Sequence, residues 1–282
     1  MKKILSLILV AIMLFTSVAM LSSCGENTII VQTNAFFAPF EYYDGTEIVG
    51  VDVEIMNLVG KKLGKEVKFN DGDFAVIIDV VSEGATADCG AAGLTITPER
   101  AEKVDFSIPY YTSVQYVIYK KDNAPATKTA EDGSKYIVWE ALAGKKIGTQ
   151  TDTTGWIYTD SEINATEAKD GYDGVLLNTG ATCVAMDSAQ IAVDSLGNLT
   201  DVVIIDELPA EYIVSKNAGL ECLPLYYSGA DGEPDSIVEE KYAICVTKGN
   251  TELLEAINSV LTDLIAEDKI NEMVMRHMGL EK

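Results

Sequence analysis

The order in which strand-like and helix-like segments alternate restricts the fold of this chain more than any other feature. Strands are predicted at 28–32, 67–69 and 87–92, with helices at 51–63 and 74–82 between them. Apolar residues recur at helical spacing in the helical segments, and β-branched residues mark the strands. This β-α-β-α-β order favours a mostly parallel sheet with helices on both faces.

A second alternation begins after the polar segment 122–134. The pattern there predicts strands at 146–148, 202–205 and 222–226, and helices at 153–158, 180–196 and 209–216. A return strand at 242–247 and two amphipathic helices within 251–278, separated near Asp268, complete the chain. We therefore expect two α/β units in series, with the ligand site in the cleft between them.

One segment joins a strand end to a helix start and an arginine, Gly93-Leu94-Thr95-Ile96-Thr97-Pro98-Glu99-Arg100. Thr97 suits an N-cap, Pro98 the first helical position and Glu99 the first turn. A guanidinium in the first turn, beside hydroxyls and free backbone N–H groups, suits a carboxylate held by two parallel hydrogen bonds. A surface arginine on a capped helix is the alternative that this stretch alone leaves open.

The N-terminus is typical of an export signal. Lys2 and Lys3 precede an almost wholly apolar run from Ile4 to Met20, and small residues then end on Cys24. This arrangement resembles the lipobox of bacterial lipoproteins, in which Cys24 would carry the lipid. We expect a signal peptide at 1–23 and a lipid-anchored tether at 24–27. The protein would be exported and anchored to the outer face of the cytoplasmic membrane, or on the periplasmic side in a diderm.

Composition narrows the classes of function. A net charge of −23 argues against nucleic acid and anionic membrane surfaces as partners. The chain has one histidine, His277, which removes most histidine-based catalysis and most zinc sites. No cysteine spacing resembles a metal clip, so no metal, cofactor or catalytic residue is predicted. Cys89 and Cys245 are expected to be buried free thiols. The sequence does not decide whether Cys183 and Cys222 form a disulfide.

From about Thr28 to Gly279 the chain resembles the family 3 solute-binding proteins, the amino-acid receptors of bacterial ABC importers. The motifs follow the family's order, and together they carry more weight than any one alone. They are Phe36-Phe37-Ala38-Pro39-Phe40-Glu41, Val49-Gly50-Val51-Asp52-Val53-Glu54, Asp73-Phe74, Ile96-Thr97-Pro98-Glu99-Arg100, Val104-Asp105-Phe106-Ser107, Pro109-Tyr110-Tyr111, Gly144-Lys145-Lys146-Ile147-Gly148, Thr153-Thr154, Asp201-Val202-Val203-Ile204-Ile205-Asp206 and the return strand from Tyr242 to Gly249.

The resemblance implies a two-lobed fold of the type II periplasmic-binding-protein kind, with the ligand in the inter-lobe cleft. Lobe 1 would comprise 28–112 and 242–282, and lobe 2 would comprise 115–238. The chain would cross between the lobes at two hinges, Tyr110 to Val114 and Ile237 to Tyr242. The implied protein is a monomer that closes its lobes on an amino acid and delivers it to an ABC permease.

The resemblance also assigns roles to particular residues. Arg100 would hold the ligand α-carboxylate, helped by the Thr95 hydroxyl and by N–H groups of Thr95 and Thr154. Asp206 would accept from the α-ammonium, helped by the Gly93 carbonyl and Thr95. The side chain of the ligand would lie between the rings of Phe37 and Phe74, in a region lined by Asn34, Ala92 and Gln150. The full implied set is Asn34, Phe37, Phe74, Ala92, Gly93, Thr95, Arg100, Gln150, Thr153, Thr154 and Asp206.

Two departures from the family pattern bear on the choice of ligand. Asn34 stands where the family often has an aspartate that holds cationic side chains, and Asp152 stands where a glycine is usual. A neutral polar or modestly apolar amino acid is therefore expected rather than a cationic or acidic one. The alternative function is a dehydratase or lyase on the same fold that acts on a carboxylated small molecule, with Glu207 as its acid.

Overall fold

The structure, a computed structural model, describes residues 27–229 and 234–280. The predicted signal peptide, Cys24 and most of the tether lie outside these residues. Within the described ranges the chain forms two main sheets, one antiparallel two-stranded ribbon and one small three-stranded sheet. No helix among these residues is both long and apolar enough to cross a membrane.

The first main sheet takes its strands from both ends of the described chain. In spatial order they are Glu66–Asp71, Thr28–Thr33, Cys89–Gly90, Cys245–Thr247 and Val104–Phe106. The first three run parallel, whereas Cys245–Thr247 is antiparallel to both of its neighbours. Ile29 and Val31 pack into the core on one face, and Ile30 packs into the core on the other, as period-2 alternation requires.

The second main sheet is built from the middle of the chain. Its strands, in spatial order, are Lys128–Thr129, Lys135–Val138, Leu220–Tyr226, Gln115–Lys120, Val202–Asp206, Lys146–Gln150 and Thr182–Met186. Gln115–Lys120 is antiparallel to both of its neighbours, so the sheet is mixed. Val202 and Ile204 belong to one core and Val203 and Ile205 to another, which shows that both faces of this sheet are covered.

Helices cover these sheets, and their ends follow local sequence signals. The α-helices of the described ranges are Val51–Leu63, Ile77–Glu83, Pro98–Lys103, Thr154–Asn164, Glu167–Asp170, Ala189–Asp194, Glu207–Lys216, Thr251–Ala266 and Lys269–His277. Short 3₁₀ turns lie at Phe74–Val76, Lys121–Asn123 and Trp139–Leu142. Gly64 ends the first helix in the left-handed conformation, and Asp268 separates the last two helices, which confirms both predictions.

A two-stranded ribbon links the regions of the two main sheets. Tyr111–Ser113 pairs antiparallel with Glu240–Tyr242, with Tyr111 opposite Tyr242 and Ser113 opposite Glu240. A separate hairpin sheet lies beside the first main sheet and consists of Phe36–Phe37, Glu41–Asp44 and Glu47–Val49. The ribbon lies where the sequence places the two hinge crossings.

Two predicted elements were wrong in detail. The helix expected over 180–196 is a strand, Thr182–Met186, followed by a helix, Ala189–Asp194, that the Ser188 hydroxyl caps. Parallel pairing of the strand with Lys146–Gln150 overrides its helix-like apolar pattern. The return strand expected over 242–247 is split, because Glu240–Tyr242 joins the ribbon and Cys245–Thr247 joins the first sheet.

The strand directions agree with expectation, since Thr28–Thr33, Glu66–Asp71 and Cys89–Gly90 run parallel. In the first main sheet Cys245–Thr247 is the strand that runs antiparallel to its neighbours. The thiols also agree with expectation. Cys89 and Cys245 are buried and free, as predicted. Cys183 and Cys222 are also free, and the Cys183 sulfur lies 3.4 Å from the Thr149 hydroxyl, so the bridge left open by the sequence is not formed.

Candidate functional site

A cavity between the two main sheets gathers ten of the eleven residues that the sequence assigned to ligand contact. Those that line it are Asn34, Phe37, Phe74, Gly93, Thr95, Arg100, Gln150, Thr153, Thr154 and Asp206. Ala92 is the exception, because it is buried in the core beneath the first sheet with Ile77 and Leu94. The residues come together although more than 170 positions separate Asn34 from Asp206 in the chain.

The positions of several lining residues follow from the direction of the strands. Asn34 comes directly after the strand Thr28–Thr33, and Gln150 and Asp206 are the last residues of their parallel strands. Ligands of open α/β sheets bind outside the carboxyl ends of the strands, where loops bring polar groups together. The cavity lies at this edge for both sheets.

Gly93 is fixed as glycine by its backbone and by its neighbour. Its φ of 55° lies in the left-handed region, and an added Cβ would lie 2.7 Å from Cε1 of Phe37. The Gly93 N–H donates to Oδ2 of Asp52 at 3.0 Å, which anchors the loop from below. The aromatic ring can therefore pack directly against backbone at the cavity wall.

Arg100 is held from both sides of the cleft. The helix Pro98–Lys103 begins as predicted, with the Thr97 hydroxyl accepting from the Arg100 N–H at 3.2 Å. Nη1 of Arg100 donates to the Thr95 carbonyl and Nη2 to the Asp152 carbonyl, each at 2.8 Å. The guanidinium carbon lies 5.4 Å from the centre of the Phe74 ring, within range of a cation–π contact.

Asp152 preserves the turn in which the family usually has glycine. Its φ of 60° is the left-handed conformation that glycine favours and that aspartate tolerates better than most residues. Through its carbonyl, rather than its side chain, this residue accepts from Arg100. The departure seen in the sequence therefore leaves the left-handed turn before Thr153 in place.

The two threonines after this turn start the helix Thr154–Asn164. The Thr153 hydroxyl accepts from the Trp156 N–H at 3.3 Å and donates to the Gln150 carbonyl at 2.8 Å. Thr154 is the first helical residue, so its N–H belongs to the helix end where the dipole favours negative charge. This geometry suits an anionic group in the cavity.

Asp206 is a buried carboxylate with two strong donors. The Tyr242 hydroxyl donates to its Oδ2 at 2.6 Å, and Nε2 of Gln115 donates to its Oδ1. Burial and the negative charge of Glu240 raise the pKa of Asp206 well above its usual value, and the two hydrogen bonds and Arg100 oppose this rise. A cation in the cavity would relieve the cost of ionising this group.

Glu240 was missed by the sequence analysis. Its side chain is 1% exposed, and its Oε2 accepts from the hydroxyls of Thr95 at 2.9 Å and Thr154 at 2.7 Å. Nε2 of Gln115 donates to its Oε1 at 3.0 Å. Burial raises the pKa of Glu240, while these three hydrogen bonds and Arg100 lower it.

Strand alternation is the signal that could have found Glu240. In Glu240–Tyr242 the first and last residues are buried and Lys241 between them is exposed, so Glu240 lies on the same face as the buried Tyr242 ring.

The cavity is small in this structure because groups from its two sides touch. Its volume is about 10 Å³, about the room for one water molecule. Nε2 of Gln150 donates to Oδ1 of Asn34 at 3.0 Å across the cleft. Outside Arg100 the cleft continues as a groove of about 420 Å³ that Phe74, Asp152 and Ile157 help to line. This is a closed cleft, and an amino acid would need the two sides to part.

The alternative function, a dehydratase or lyase, has Glu207 as its acid. Glu207 accepts from the Tyr116 hydroxyl at 3.1 Å and is not among the residues that line this cavity. Within the described part of the chain, no three His, Cys, Asp or Glu side chains are arranged to hold a metal ion.

The comparisons with known proteins agree with this geometry. A family model described as bacterial extracellular solute-binding proteins, family 3, matches residues 29–280. The arginine-binding extracellular protein ArtP of Bacillus subtilis is 28% identical over the whole of both chains. An ancestral arginine-binding protein bound to arginine has a TM-score of 0.71 and 30% identity, covering 89% of this chain and 98% of its own.

A structure of an ancestral arginine-binding protein bound to glutamine is also similar to this chain. It has a TM-score of 0.70 and 30% identity, and the match covers 90% of this chain and 99% of that one.

Proposed function

Since the chain belongs to family 3 of the bacterial extracellular solute-binding proteins, we propose that it is the substrate-binding component of an ABC importer. It captures one amino acid in the cleft and delivers it to the permease in the membrane. The observation that carries this proposal is the pairing of Arg100 with Asp206 around a single cavity. Relatives that match along most of their length are amino-acid-binding proteins, which supports the same function.

The charges at the cavity suit a zwitterion. Arg100 can hold an α-carboxylate in two-pronged fashion, and the first turn of the helix Thr154–Asn164 adds N–H donors. Asp206 can accept from an α-ammonium, together with the Gly93 carbonyl and the Thr95 hydroxyl. Both charged groups are less than a tenth exposed, so each is largely removed from water. A ligand group of opposite charge would offset the cost of that desolvation.

Capture would proceed by hinge bending. Residues 28–112 and 242–282 would move as one lobe and 115–238 as the other, with the ribbon of Tyr111–Ser113 and Glu240–Tyr242 as the hinge. A ligand that contacts both lobes only when they meet shifts the population towards the closed form. The permease would then dock the closed form.

The residues around the side-chain region favour a neutral polar amino acid. Asn34 and Gln150 place two amides at the cavity, and the rings of Phe37 and Phe74 would cover an apolar stem. Asp206 is the single acid among the lining residues, so once it holds the α-ammonium no lining acid is left for a cationic side chain. The ancestral relative that also binds glutamine makes such a ligand plausible on this fold.

The remaining parts of the proposal concern location and class. The protein would be exported, anchored through a lipid on Cys24 and monomeric, and it would bind its ligand without transforming it. Replacing Cys24 with alanine should release the protein from the membrane fraction. Protein that stays in the membrane fraction after this change would disprove the anchor.

A thermal-shift screen against the proteinogenic L-amino acids tests the central proposal, with calorimetry on each hit. A ligand that binds only the folded protein raises its midpoint as ligand concentration rises. L-Glutamine should shift the midpoint more than L-arginine does, and D-enantiomers serve as matched controls. If no amino acid shifts it and a carboxylated ring is consumed instead, the protein is an enzyme and the transport function is wrong.

A further inference from the structure

The Glu240 carboxylate bridges the two walls of the cleft. Its Oε2 accepts one hydroxyl from each side, Thr95 from the loop after the first sheet and Thr154 from the helix beside the second. Glu240 itself belongs to the ribbon between the sheets. One oxygen atom thus joins the ribbon to both walls of the cleft.

This arrangement can exist only while the cleft is closed. The two hydroxyl oxygens lie 2.9 Å and 2.7 Å from the same atom, so they cannot be farther apart than these two distances combined. Separation of the walls must break at least one of the two hydrogen bonds. The atom then loses a donor that it has in the closed form.

Loss of this hydrogen bond is unfavourable because the carboxylate is buried. Glu240 is 1% exposed, and an ionised carboxylate that loses a hydrogen bond there carries a desolvation penalty unless water enters. Gln115, on the strand next to the ribbon, donates to the other oxygen and also to Asp206. The bonds to Glu240 are therefore linked to the residue proposed to hold the α-ammonium.

We propose that Glu240 is a positioning residue that latches the ligand-free cleft in its closed form. Its effect on affinity rests on the proposed function. Because an amino acid needs the walls to part, molecules that the latch holds closed cannot take it up, and the apparent affinity falls accordingly. A competing arrangement, in which Glu240 keeps both walls together around the bound ligand, would have the opposite sign, because its removal would then weaken binding.

Glu240→Gln is the test variant and Glu239→Gln is its matched control. Glutamine keeps the size of the side chain but replaces one acceptor oxygen with an NH₂ group, so it cannot accept from Thr95, Thr154 and Gln115 together. Glu239 undergoes the same chemical change one residue away on an exposed side chain. Thr154→Val is a second variant that removes one of the two hydroxyls and keeps the shape.

Small-angle X-ray scattering of the ligand-free proteins measures closure without knowledge of the ligand. The radius of gyration should increase in Glu240→Gln and in Thr154→Val and stay at the wild-type value in Glu239→Gln. Circular dichroism confirms that each variant is folded. If both folded variants scatter like the wild type, Glu240 is not a latch, even if they are less stable.

Ligand kinetics supply a readout that a packing defect would not produce. With L-glutamine and L-arginine as probes, Glu240→Gln should associate up to about tenfold faster, the effect of roughly one lost hydrogen bond to a charged group on the closed population. Its dissociation rate should not rise, because the latch is already broken when the ligand is bound. Faster dissociation with an unchanged association rate would favour the competing arrangement. If neither probe binds the wild type, the glutamine prediction fails, while the scattering result still decides the latch.

Discussion

The Tyr242 hydroxyl lies 2.6 Å from Oδ2 of Asp206, although Tyr242 belongs to the ribbon and Asp206 ends a strand of the second sheet. The carboxylate that we assign to the ligand ammonium is thus oriented by a buried phenol from another element. This contact makes Tyr242 part of the support of the site although it does not line the cavity.

Replacing Tyr242 with phenylalanine should weaken amino-acid binding about tenfold, because Asp206 loses a donor to its charged form. The pKa of Asp206 should also rise, since this hydrogen bond lowers it in the wild type. Calorimetry of ligand binding measures the effect. Tyr136→Phe is the matched control, because the Tyr136 hydroxyl donates to Asp235 at 2.9 Å far from the cleft. Equal affinity in both variants would contradict the role of Tyr242.

Arg100→Ala should reduce affinity at least about 100-fold, the effect of two lost charge-assisted hydrogen bonds to a carboxylate. Arg100→Lys should recover little, because an ammonium does not provide the planar two-pronged fork. Arg276→Ala is the control, since it removes a half-exposed ion pair with Glu54 and no lining group. Affinity retained by a folded Arg100→Ala protein would overturn the carboxylate assignment.

Asn34→Asp should shift selectivity towards cationic amino acids. The change adds a negative charge at the cavity and keeps an acceptor for Nε2 of Gln150, while the bond from Nδ2 of Asn34 to the Gly72 carbonyl, 2.8 Å in the wild type, is lost. The ratio of the L-arginine affinity to the L-glutamine affinity should rise about tenfold, as expected for one partly buried charge pair. An unchanged ratio would show that residue 34 does not face the ligand side chain.

The stability of the protein should fall as pH rises, opposite to ordinary acid denaturation. Burial raises the pKa of Asp52 from 3.8 to about 6 and raises that of Glu41 well above its usual value. A carboxyl with a raised pKa in the folded state stabilises it fully at low pH and loses this effect as pH rises through the folded value. For Asp52 alone, on the order of 3 kcal/mol should disappear from about pH 4 to above pH 6.

Glu41→Gln tests this dependence at its source. Neither oxygen of Glu41 has a donor within the described ranges, and its carboxyl faces Asp52, which fits a protonated Glu41 that donates to Asp52. The variant should unfold like the wild type near pH 5 and be more stable near pH 8, as urea titrations would measure. Glu47→Gln, on an exposed strand of the same hairpin sheet, should leave the pH profile unchanged. A steeper loss of stability in Glu41→Gln would contradict a neutral Glu41.

Local signals predicted the anchors of the site well. The N-cap Thr97, the helix that begins at Pro98 and the strand that ends at Asp206 depend on neighbours within a few positions. The family resemblance supplied eleven site residues, and ten of them line one cavity. Their contacts with a ligand stay a prediction. The sequence failed where distant pairing decides the structure, as for the strand Thr182–Met186, which exists because of its partner Lys146–Gln150.

The same reason explains why Gln115 and Glu240 were missed. Each residue makes its contacts with groups about 40 to 145 positions away, so the adjoining sequence does not reveal its partners. For Glu240 the local signal is the alternation of a three-residue strand. An isolated glutamine in a strand or a glutamate in an acidic segment is ordinarily solvated. Only the three-dimensional arrangement shows that both are enclosed.

The amide pair formed by Asn34 and Gln150 stands apart from the charged anchors Arg100 and Asp206. Variation at the amides could therefore change which amino acid is preferred, while the two groups that we propose to hold its α-carboxylate and α-ammonium stay intact. A bacterial lineage with this protein could therefore acquire specificity for a different amino acid through one or two substitutions, and each intermediate would still bind an amino acid.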